Sequence, residues 1–493
     1  MEMSQMEPSK TLLDMKIISL LILSSSLLHL THAQKLAYKK EKQTLIENIN
    51  TKQEDLTALS DKIWGYEEVA FQEIKSSGAL ISYAKSNGFS VNEGVAGIPT
   101  AFYAEYGDGK PIIGILGEFD ALPGLSQDTV PYKSPRNEEG AGHGCGHNLF
   151  GVASLGAALS IKEMIEKGVL NGTVRFYGTP AEEKFFGKLW MIRAGLFDDV
   201  DVMMDWHPGA ETKSAVQSTL ALVDFMVEYK GQAAHASSDP WNGRSASDAL
   251  ELYTTGINYY REHVKPTVRI HYHIQDGGKV VNVVPDYARI WTRVRDTKRE
   301  GMDVVWKQVE RIAEGAAMMA NVDFEIKLIS GVHEVVVNRT GAKRLQSNLE
   351  YLGTIDYTEG EEEFAKSIQR ATGKPEVGLD MEIRPMEETL EHPGGGSTDA
   401  GDVSWIVPTI RLSATTAPKG TPWHSWAVVA CGGMSIGHKG MLYASKALAM
   451  TMVDLYKDEE LRQEVKKEFK GRIGDYVYKG IIPDGSPPIS SGN

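Results

Sequence analysis

Residues 142–148 have the sequence Gly142-His143-Gly144-Cys145-Gly146-His147-Asn148, and the other motifs of the chain are interpreted in relation to this segment. The three glycines let the backbone bend sharply and lie close to whatever the side chains hold. Cys145 and His147 are two positions apart, and in an extended segment this spacing puts both side chains on one side. A thiolate and an imidazole placed in this way can bind one metal ion. An isolated Cys-x-His pair is more often a buried thiol beside a surface histidine, so the metal hypothesis depends on other residues.

Length and composition limit the class of protein. The chain has 493 residues, which suggests two to four domains. Its 42% hydrophobic and 24% charged residues are typical of a soluble globular protein. A formal net charge of −14 argues against a nucleic-acid or anionic-membrane partner, because both require a basic face. The two cysteines, Cys145 and Cys431, are too few for a disulfide scaffold, although one disulfide between them stays open.

The N-terminus has the features of an export signal. Met15-Lys16 precedes the apolar run 17–30, and Ala33 supplies a small residue at the boundary. This pattern predicts a signal peptide over residues 1–33, with Met15 as an alternative start, and therefore a periplasmic or extracellular protein. The alternative is an uncleaved membrane anchor, but the run is short and rich in serine, so no stable anchor is expected.

Three apolar runs are each followed by acidic residues or histidine. The runs are 112–116, 174–177 and 202–204, and the polar residues that follow them include Glu118, Asp120, Glu182, Glu183 and His207. Open α/β sheets place their sites at the carboxyl ends of buried strands. The sequence therefore predicts one sheet that brings these side chains to one edge. Helices are predicted around it from periodic apolar residues, including 35–62, 73–86, 149–167 and 438–456.

The middle of the chain has a different pattern. Strands are predicted at 222–229, 269–274, 288–295 and 323–329, and helices at 243–263 and 302–321. The order β-α-β-β-α-β is that of a split βαβ sandwich. Residues 217–332 are therefore predicted to be a second domain, inserted into a discontinuous first domain that consists of residues 34–216 and 333–493. The first strand of the insertion is expected to be half exposed, because its apolar residues alternate.

Five residues from separate segments could bind metal together. Glu183 follows a predicted strand, His207 follows another, and His424 lies in the turn-rich segment 420–426. Each of them alone is an ordinary surface or structural residue. With Cys145 and His147 they supply enough ligands for two metal ions with open positions, where a bound water can lose its proton near neutral pH.

The motifs of the chain resemble those of one enzyme family. They are Gly-Glu-Phe-Asp-Ala-Leu-Pro (117–123), His-Gly-Cys-Gly-His-Asn (143–148), Thr-Pro-Ala-Glu-Glu (179–183), Trp-His-Pro (206–208), Ala-Ala-His-Ala (233–236) and Gly-Thr-Pro-Trp-His (420–424). This set resembles the M20 family of metallopeptidases and amidohydrolases, in the aminoacylase-like branch with the hippurate and indoleacetyl-amino acid hydrolases. Segments 142–148, 397–405 and 435–441 are most similar to the B-type subunits of aminobenzoyl-glutamate hydrolases. The resemblance runs from about Gln53 to about Leu461.

The resemblance implies a fold and a set of roles. It implies an α/β fold with a zinc-peptidase-like catalytic domain, a mixed, mostly parallel sheet, and an inserted ferredoxin-like α+β domain for dimerisation and as a lid. Two divalent ions, manganese or zinc, would be bound by Cys145, His147, Glu183, His207 and His424. Glu182 would be the general base. From the inserted domain, His235 would stabilise the oxyanion in a neighbouring subunit, and Asn282 and Arg295 would contact substrate.

Two positions depart from the pattern of many family members. Glu118-Phe119-Asp120 stands where these members have His-x-Asp, and Cys145 stands in place of a bridging aspartate. The branch with cysteine accommodates both changes. Asp120 is therefore expected to support the ligands rather than to bind metal.

The implied activity is hydrolysis of the amide bond of an N-acyl or N-aroyl amino acid, such as aminobenzoyl-glutamate. The same site would serve a dipeptidase or an aminoacylase, so both stay open. The chain is expected to form a homodimer through the inserted domain, with a heteromer that requires a homologous A-type partner as the alternative. A thiol-redox protein is disfavoured, because no second cysteine lies near Cys145.

Overall fold

The computed structural model describes residues 38–387 and 395–489. The predicted signal peptide, residues 1–33, lies outside these ranges, as does Gly394 at the start of the predicted Gly-rich loop. Within them, no helix is both long enough and apolar enough to cross a membrane. The strands, in chain order, are β1 Ser90–Glu93, β2 Phe102–Asp108, β3 Ile112–Gly117, β4 Gly172–Gly178, β5 Val202–Gly209, β6 Lys213–Ser214, β7 Ala221–Lys230, β8 Arg269–Asp276, β9 Tyr287–Asp296, β10 Asp323–Val332 and β11 Thr409–Thr415.

Seven strands form the main sheet, in the order β1-β2-β4-β3-β5-β11-β6. The four central strands β4, β3, β5 and β11 run parallel, and the outer strands pair antiparallel. Every residue of β3 is buried, as expected for a strand covered by helices on both faces. The predicted α/β class with a mixed, mostly parallel sheet is confirmed.

Helices accompany both sheets. Those of the first and last thirds of the chain are α1 Lys39–Thr51, α2 Gln53–Tyr66, α3 Ile74–Ser86, α4 His147–Glu166, α5 Gly187–Arg193, α8 Arg339–Leu352, α9 Glu359–Ala371, α10 Ala400–Ile406, α11 Trp426–Gly432, α12 Ser435–Lys457 and α13 Glu459–Ile473; α6 Ala246–Tyr260 and α7 Arg299–Ala320 lie between them. The single helix predicted over 35–62 is wrong, because the chain forms two helices that separate at Lys52, whose backbone is not helical.

Strands β7 to β10 form a second, four-stranded antiparallel sheet in the order β10-β7-β9-β8. Apolar residues of this sheet share one buried cluster with α6 and α7. The element order is the predicted β-α-β-β-α-β, while the boundaries 217 and 332 stay a prediction. The half-exposed pattern expected for the first strand is wrong: β7 is buried along almost its whole length because it lies between β10 and β9.

The carboxyl edge of the main sheet carries the polar residues that the sequence singled out. Glu118 and Asp120 follow β3, and Glu182 and Glu183 follow β4. One detail differs from the prediction. Strand β5 continues to Gly209, so His207 lies within the strand rather than after it, and its backbone is fixed by pairing with β11.

Candidate active site

The backbone between Cys145 and His147 is turned, not extended. Gly146 has a φ of 75°, in the left-handed region that glycine adopts at little cost, and α4 begins at His147. A Cβ on Gly146 would lie 2.9 Å from the Cβ of Pro208, so this close approach also requires glycine. The expected extended geometry is therefore wrong, although both side chains still reach one place.

The structure brings all five predicted metal ligands together in two groups. In one group, ligand atoms of Cys145, His147 and His207 lie within 4.8 Å of one another, and in the other those of Cys145, Glu183 and His424 do. Both groups contain Cys145. The thiolate would thus be available to two ions, with two imidazoles completing the first group and a carboxylate and an imidazole completing the second.

Two ligand atoms of this cluster make no hydrogen bond to the residues that the structure describes. His147 Nε2 and Glu183 Oε1 are buried and make no hydrogen bond within the described part of the chain. The other nitrogens of two histidines are held: His147 Nδ1 is 2.9 Å from Asp120 Oδ1, and His207 Nδ1 is 2.8 Å from the Pro208 carbonyl oxygen. Buried polar atoms are normally paired, and metal-binding histidines normally hold their second nitrogen in this manner. The residues therefore fit a metal centre.

The pKa values follow from burial and neighbouring charges. Burial and nearby His147 lower the pKa of His207 to about 4, so its imidazole is neutral at pH 7 and keeps a lone pair for a metal. Burial, together with Asp120 and Glu118, raises the pKa of Glu183 to about 7. Burial also holds the pKa of the Cys145 thiol well above its ordinary value, so the thiolate requires a cation beside it.

His147 lies between two carboxylates. Its Nδ1 faces Asp120, and its Nε2 is 3.0 Å from Glu118 Oε2. Burial lowers the pKa of His147, but Glu118 and the hydrogen bond with Asp120 outweigh it and raise the pKa well above 6.5. Asp120 also accepts a 2.9 Å hydrogen bond from the Glu183 amide. Asp120 thus contacts two of the five predicted ligands, through the side chain of His147 and the backbone of Glu183.

Glu182 is buried beside the cluster and makes no hydrogen bond or ion pair to any other described side chain. Burial, with Glu118 and Glu183, raises its pKa well above the ordinary range. The preceding residue, Ala181, has a φ of 60°, which is unfavourable for a residue with a Cβ. Its amide donates a 2.8 Å hydrogen bond to Glu73 Oε1, and the Thr100 hydroxyl donates to Glu73 Oε2 at 3.1 Å. Glu73 therefore fixes the turn that carries Glu182.

A second set of charged residues adjoins the cluster and was missed by sequence reasoning. Lys188 Nζ lies 2.6 Å from Glu118 Oε1 and 2.6 Å from Asp399 Oδ1, and all three side chains are at most 1% exposed. Burial lowers the pKa of Lys188, but Asp399 and Glu118 outweigh it and keep the lysine charged. The one sequence signal was Glu118 in the place of the histidine of many family members, since Lys188 and Asp399 are remote along the chain.

His235 and Asn282 lie in exposed loops of the second sheet. The Ala236 amide donates to the Asn282 carbonyl oxygen at 3.1 Å, and His235 Nδ1 accepts from the Ser237 amide at 3.2 Å. Arg295 lies in β9, opposite Leu222 and Arg269 of the neighbouring strands. Among the residues that the structure describes, no hydrogen bond or ion pair joins any of the three to the metal-ligating cluster. Their predicted roles stay predictions.

Both cysteines are free thiols, so the disulfide that the sequence left open is absent. Cys431 is buried among apolar neighbours including Ala427 and Ala430. Cys145 instead lies 3.4 Å, Sγ to Nε2, from His207.

A mostly parallel α/β sheet with a cluster of metal donors and acidic side chains at its carboxyl edge is typical of a metal-binding α/β protein, and the comparisons with known proteins define its class more closely. The profile of Peptidase family M20/M25/M40 matches residues 114–401, which is more than half of the chain. The chain belongs to this family, and it is a hydrolase that acts on amide bonds.

Individual relatives extend beyond the profile match. The chain is 38% identical over 459 residues to the B-type subunit of p-aminobenzoyl-glutamate hydrolase from Escherichia coli, covering 88% of this chain and 95% of the relative. It is 30% identical over 450 residues to a Xaa-Arg dipeptidase of Mus musculus, covering 88% and 93%. A solved structure from Bacillus subtilis, described as a dinuclear metal binding peptidase of the M20 family, matches with a TM-score of 0.56 at 19% identity, covering 83% and 99%.

Proposed function

We propose that the chain is a metal-dependent amidohydrolase that cleaves the amide bond of N-acyl or N-aroyl amino acids, with p-aminobenzoyl-glutamate as the first candidate substrate. The observation that carries the proposal is the pair of ligand groups that share Cys145. The 38% identity with one chain of a p-aminobenzoyl-glutamate hydrolase supports the substrate class. The solved relative described as a dinuclear metal binding peptidase supports two ions per chain.

The proposed division of labour follows the geometry. Two divalent ions, manganese or zinc, would be held by Cys145, His147, Glu183, His207 and His424, and they would polarise the amide carbonyl and lower the pKa of a water. Glu182 would accept the proton of the attacking water and pass it to the nitrogen of the leaving amine. Its carboxylate has no competing partner among the described residues, and its burial favours proton transfer away from bulk solvent. Asp120 would keep His147 and the Glu183 backbone in place.

The second sheet would complete the site from a partner copy of the chain. His235 would stabilise the oxyanion and Asn282 would contact the substrate, each in the site of a neighbouring subunit. Exposed apolar residues near their loops support this arrangement, since Val281 is 99% and Trp241 77% exposed in the single chain. Such residues are typical of surfaces that another chain covers. Arg295 would bind the substrate carboxylate through its planar guanidinium, and its Nε has no partner among the described residues.

Two alternatives have specific support. A dipeptidase would use the same cluster, and the 30% identity with a Xaa-Arg dipeptidase supports it. A heteromer is supported by the relative that is named as a B-type subunit, which favours a second, A-type chain. Export to the periplasm or the extracellular space remains part of the proposal and rests on the sequence of residues 1–33; N-terminal sequencing of the mature protein should give a start near Gln34.

The substrate proposal is tested with the purified full chain and three compounds: p-aminobenzoyl-glutamate, hippurate and a dipeptide that ends in arginine. We expect hydrolysis of p-aminobenzoyl-glutamate, complete loss after chelation, and recovery when manganese or zinc is added back. Faster turnover of the dipeptide would favour the dipeptidase. Full metal content without turnover of any compound would favour an obligate partner chain.

A further inference from the structure

Glu118 presents one carboxylate oxygen to the metal-ligating cluster. Its Oε2 is 3.0 Å from His147 Nε2, yet neither atom makes a hydrogen bond in the described structure. Both side chains are almost completely buried, with Glu118 1% and His147 0% exposed. A carboxylate oxygen and an imidazole nitrogen are both metal donors, so this close, buried pair without a hydrogen bond can bind one common ion.

Glu118 also belongs to a third ligand group. Ligand atoms of Glu118, His147 and Glu182 lie within 4.8 Å of one another. Because His147 is also in the group with Cys145 and His207, Glu118 lies next to that ion position and not next to His424. Of its two oxygens, one faces the cluster and the other is fixed by Lys188 at 2.6 Å.

We propose that Glu118 is a further ligand of the ion held by Cys145, His147 and His207, and that Lys188 is the residue that positions it. The inference rests on the proposed metal-dependent function. Lys188 is itself fixed, since its ammonium and its backbone amide both donate to Asp399, at 2.6 Å and 3.0 Å. The carboxylate of Glu118 is therefore held by a rigid, buried network that leaves its second oxygen for the ion.

The donor type has a consequence for the choice of metal. A carboxylate oxygen is a harder donor than a thiolate, and carboxylate donors suit manganese. Glu118 should therefore favour manganese at this position.

The test is metal binding by Glu118→Gln, measured by calorimetric titration of the chelated full chain with Mn²⁺ and, separately, with Zn²⁺. Glutamine keeps the shape and can still accept from Lys188, but its amide nitrogen cannot bind a cation. We expect two ions in the wild type and, in the variant, one site weakened at least about 100-fold for Mn²⁺ and clearly less for Zn²⁺. Asp454→Asn is the matched control, because it alters another buried carboxylate that pairs with a lysine; both of its sites should bind as in the wild type.

The outcomes separate this inference from the proposed function. A wild type that binds no metal would contradict the metal-dependent function itself. Two sites of unchanged affinity in Glu118→Gln would overturn the ligand role alone, as would equal weakening of both sites. Lys188→Met is titrated as well, to test the positioning role. Weakening of the same single site supports that role, and an unaffected site contradicts it. Circular dichroism of each chelated variant checks that it is folded.

Discussion

Lys188 and Lys42 are both buried lysines held by carboxylates, but the two clusters around them differ in what else they contain. Lys42 Nζ contacts Asp454 Oδ2 at 2.7 Å and Asn348 Oδ1 at 2.8 Å, and the other oxygen of Asp454 lies 3.1 Å from Arg344 Nη1. Each oxygen of that aspartate thus faces a cation. The Lys188 cluster instead adjoins histidines, carboxylates and a thiol whose ligand atoms form groups within 4.8 Å of one another.

This difference shows how a structural ion pair is distinguished from one that serves a site. Buried charges are costly unless they are compensated, so a network that is closed by the protein itself is sufficient for folding. A network that adjoins a cluster of metal donors at the carboxyl edge of a parallel sheet lies where such sheets place their sites. The comparison predicts that substitutions near Lys188 change both activity and stability, whereas those near Lys42 change stability alone.

The largest effect is expected from Glu182→Gln. The variant keeps the side-chain shape but cannot accept the proton of the attacking water, so kcat/KM should fall roughly 10²–10⁴-fold. Metal content, measured by elemental analysis, should remain that of the wild type, because Glu182 is in neither of the two groups that contain Cys145. Near-wild-type turnover would show that Glu182 is not the base.

The paired variants Lys188→Met and Lys42→Met test the comparison itself. Each leaves a carboxylate buried without its lysine, so each should lose stability, by about 3–5 kcal/mol for Lys188→Met and less for Lys42→Met, where Arg344 remains. Activity per folded molecule should fall at least about 10-fold in Lys188→Met, because Glu118 loses its fixed position, and remain unchanged in Lys42→Met. Urea unfolding and kcat/KM of the folded fraction provide both readouts. Equal retained activity in the two variants would break the distinction.

A smaller effect is expected from Glu73, a buried carboxylate that has hydrogen bonds but no cation. Burial, with nearby Asp120, raises its pKa to about 8, from 4.5 in the unfolded chain. The folded protein therefore binds the extra proton between these values, so this group stabilises below pH 4.5 and its contribution is lost as the pH rises through 8. Glu73→Gln should remove this slope and be more stable than the wild type at pH 8 by up to about 4 kcal/mol. The chelated proteins are compared by urea unfolding from pH 4.5 to 8; identical curves would contradict the assigned shift.

Sequence patterns predicted the main sheet edge well, for a physical reason. Buried apolar runs such as 112–116 identify central strands of the sheet. Parallel strands bring the residues that follow them to one edge, independently of the loop conformations. Local sterics were harder to predict. Gly146 turns the chain where it packs closely against Pro208. Ala181 has a positive φ and its amide donates a hydrogen bond to Glu73. Both partners are remote in sequence.

Other parts of the fold and site had weak sequence signals. Strand β11 lies between β5 and β6 in the main sheet, yet Thr409–Thr415 mixes polar and apolar residues. The Glu118–Lys188–Asp399 network joins three distant segments and has no local spacing to reveal it. His235, next to the second sheet, has a proposed role only in the site of another copy of the chain. A sequence pattern within one chain cannot show where a second copy binds.

The most direct test of a metal centre built around a shared thiolate is the number of ions bound by the wild type and by Cys145→Ala at equal free Mn²⁺ concentration. Cys145 is the one residue common to both ligand groups that hold the five predicted ligands. We expect two ions per wild-type chain and weakened binding of both in the variant. A wild type that binds one ion, or a Cys145→Ala chain that binds two with unchanged affinity, would contradict the shared-thiolate centre.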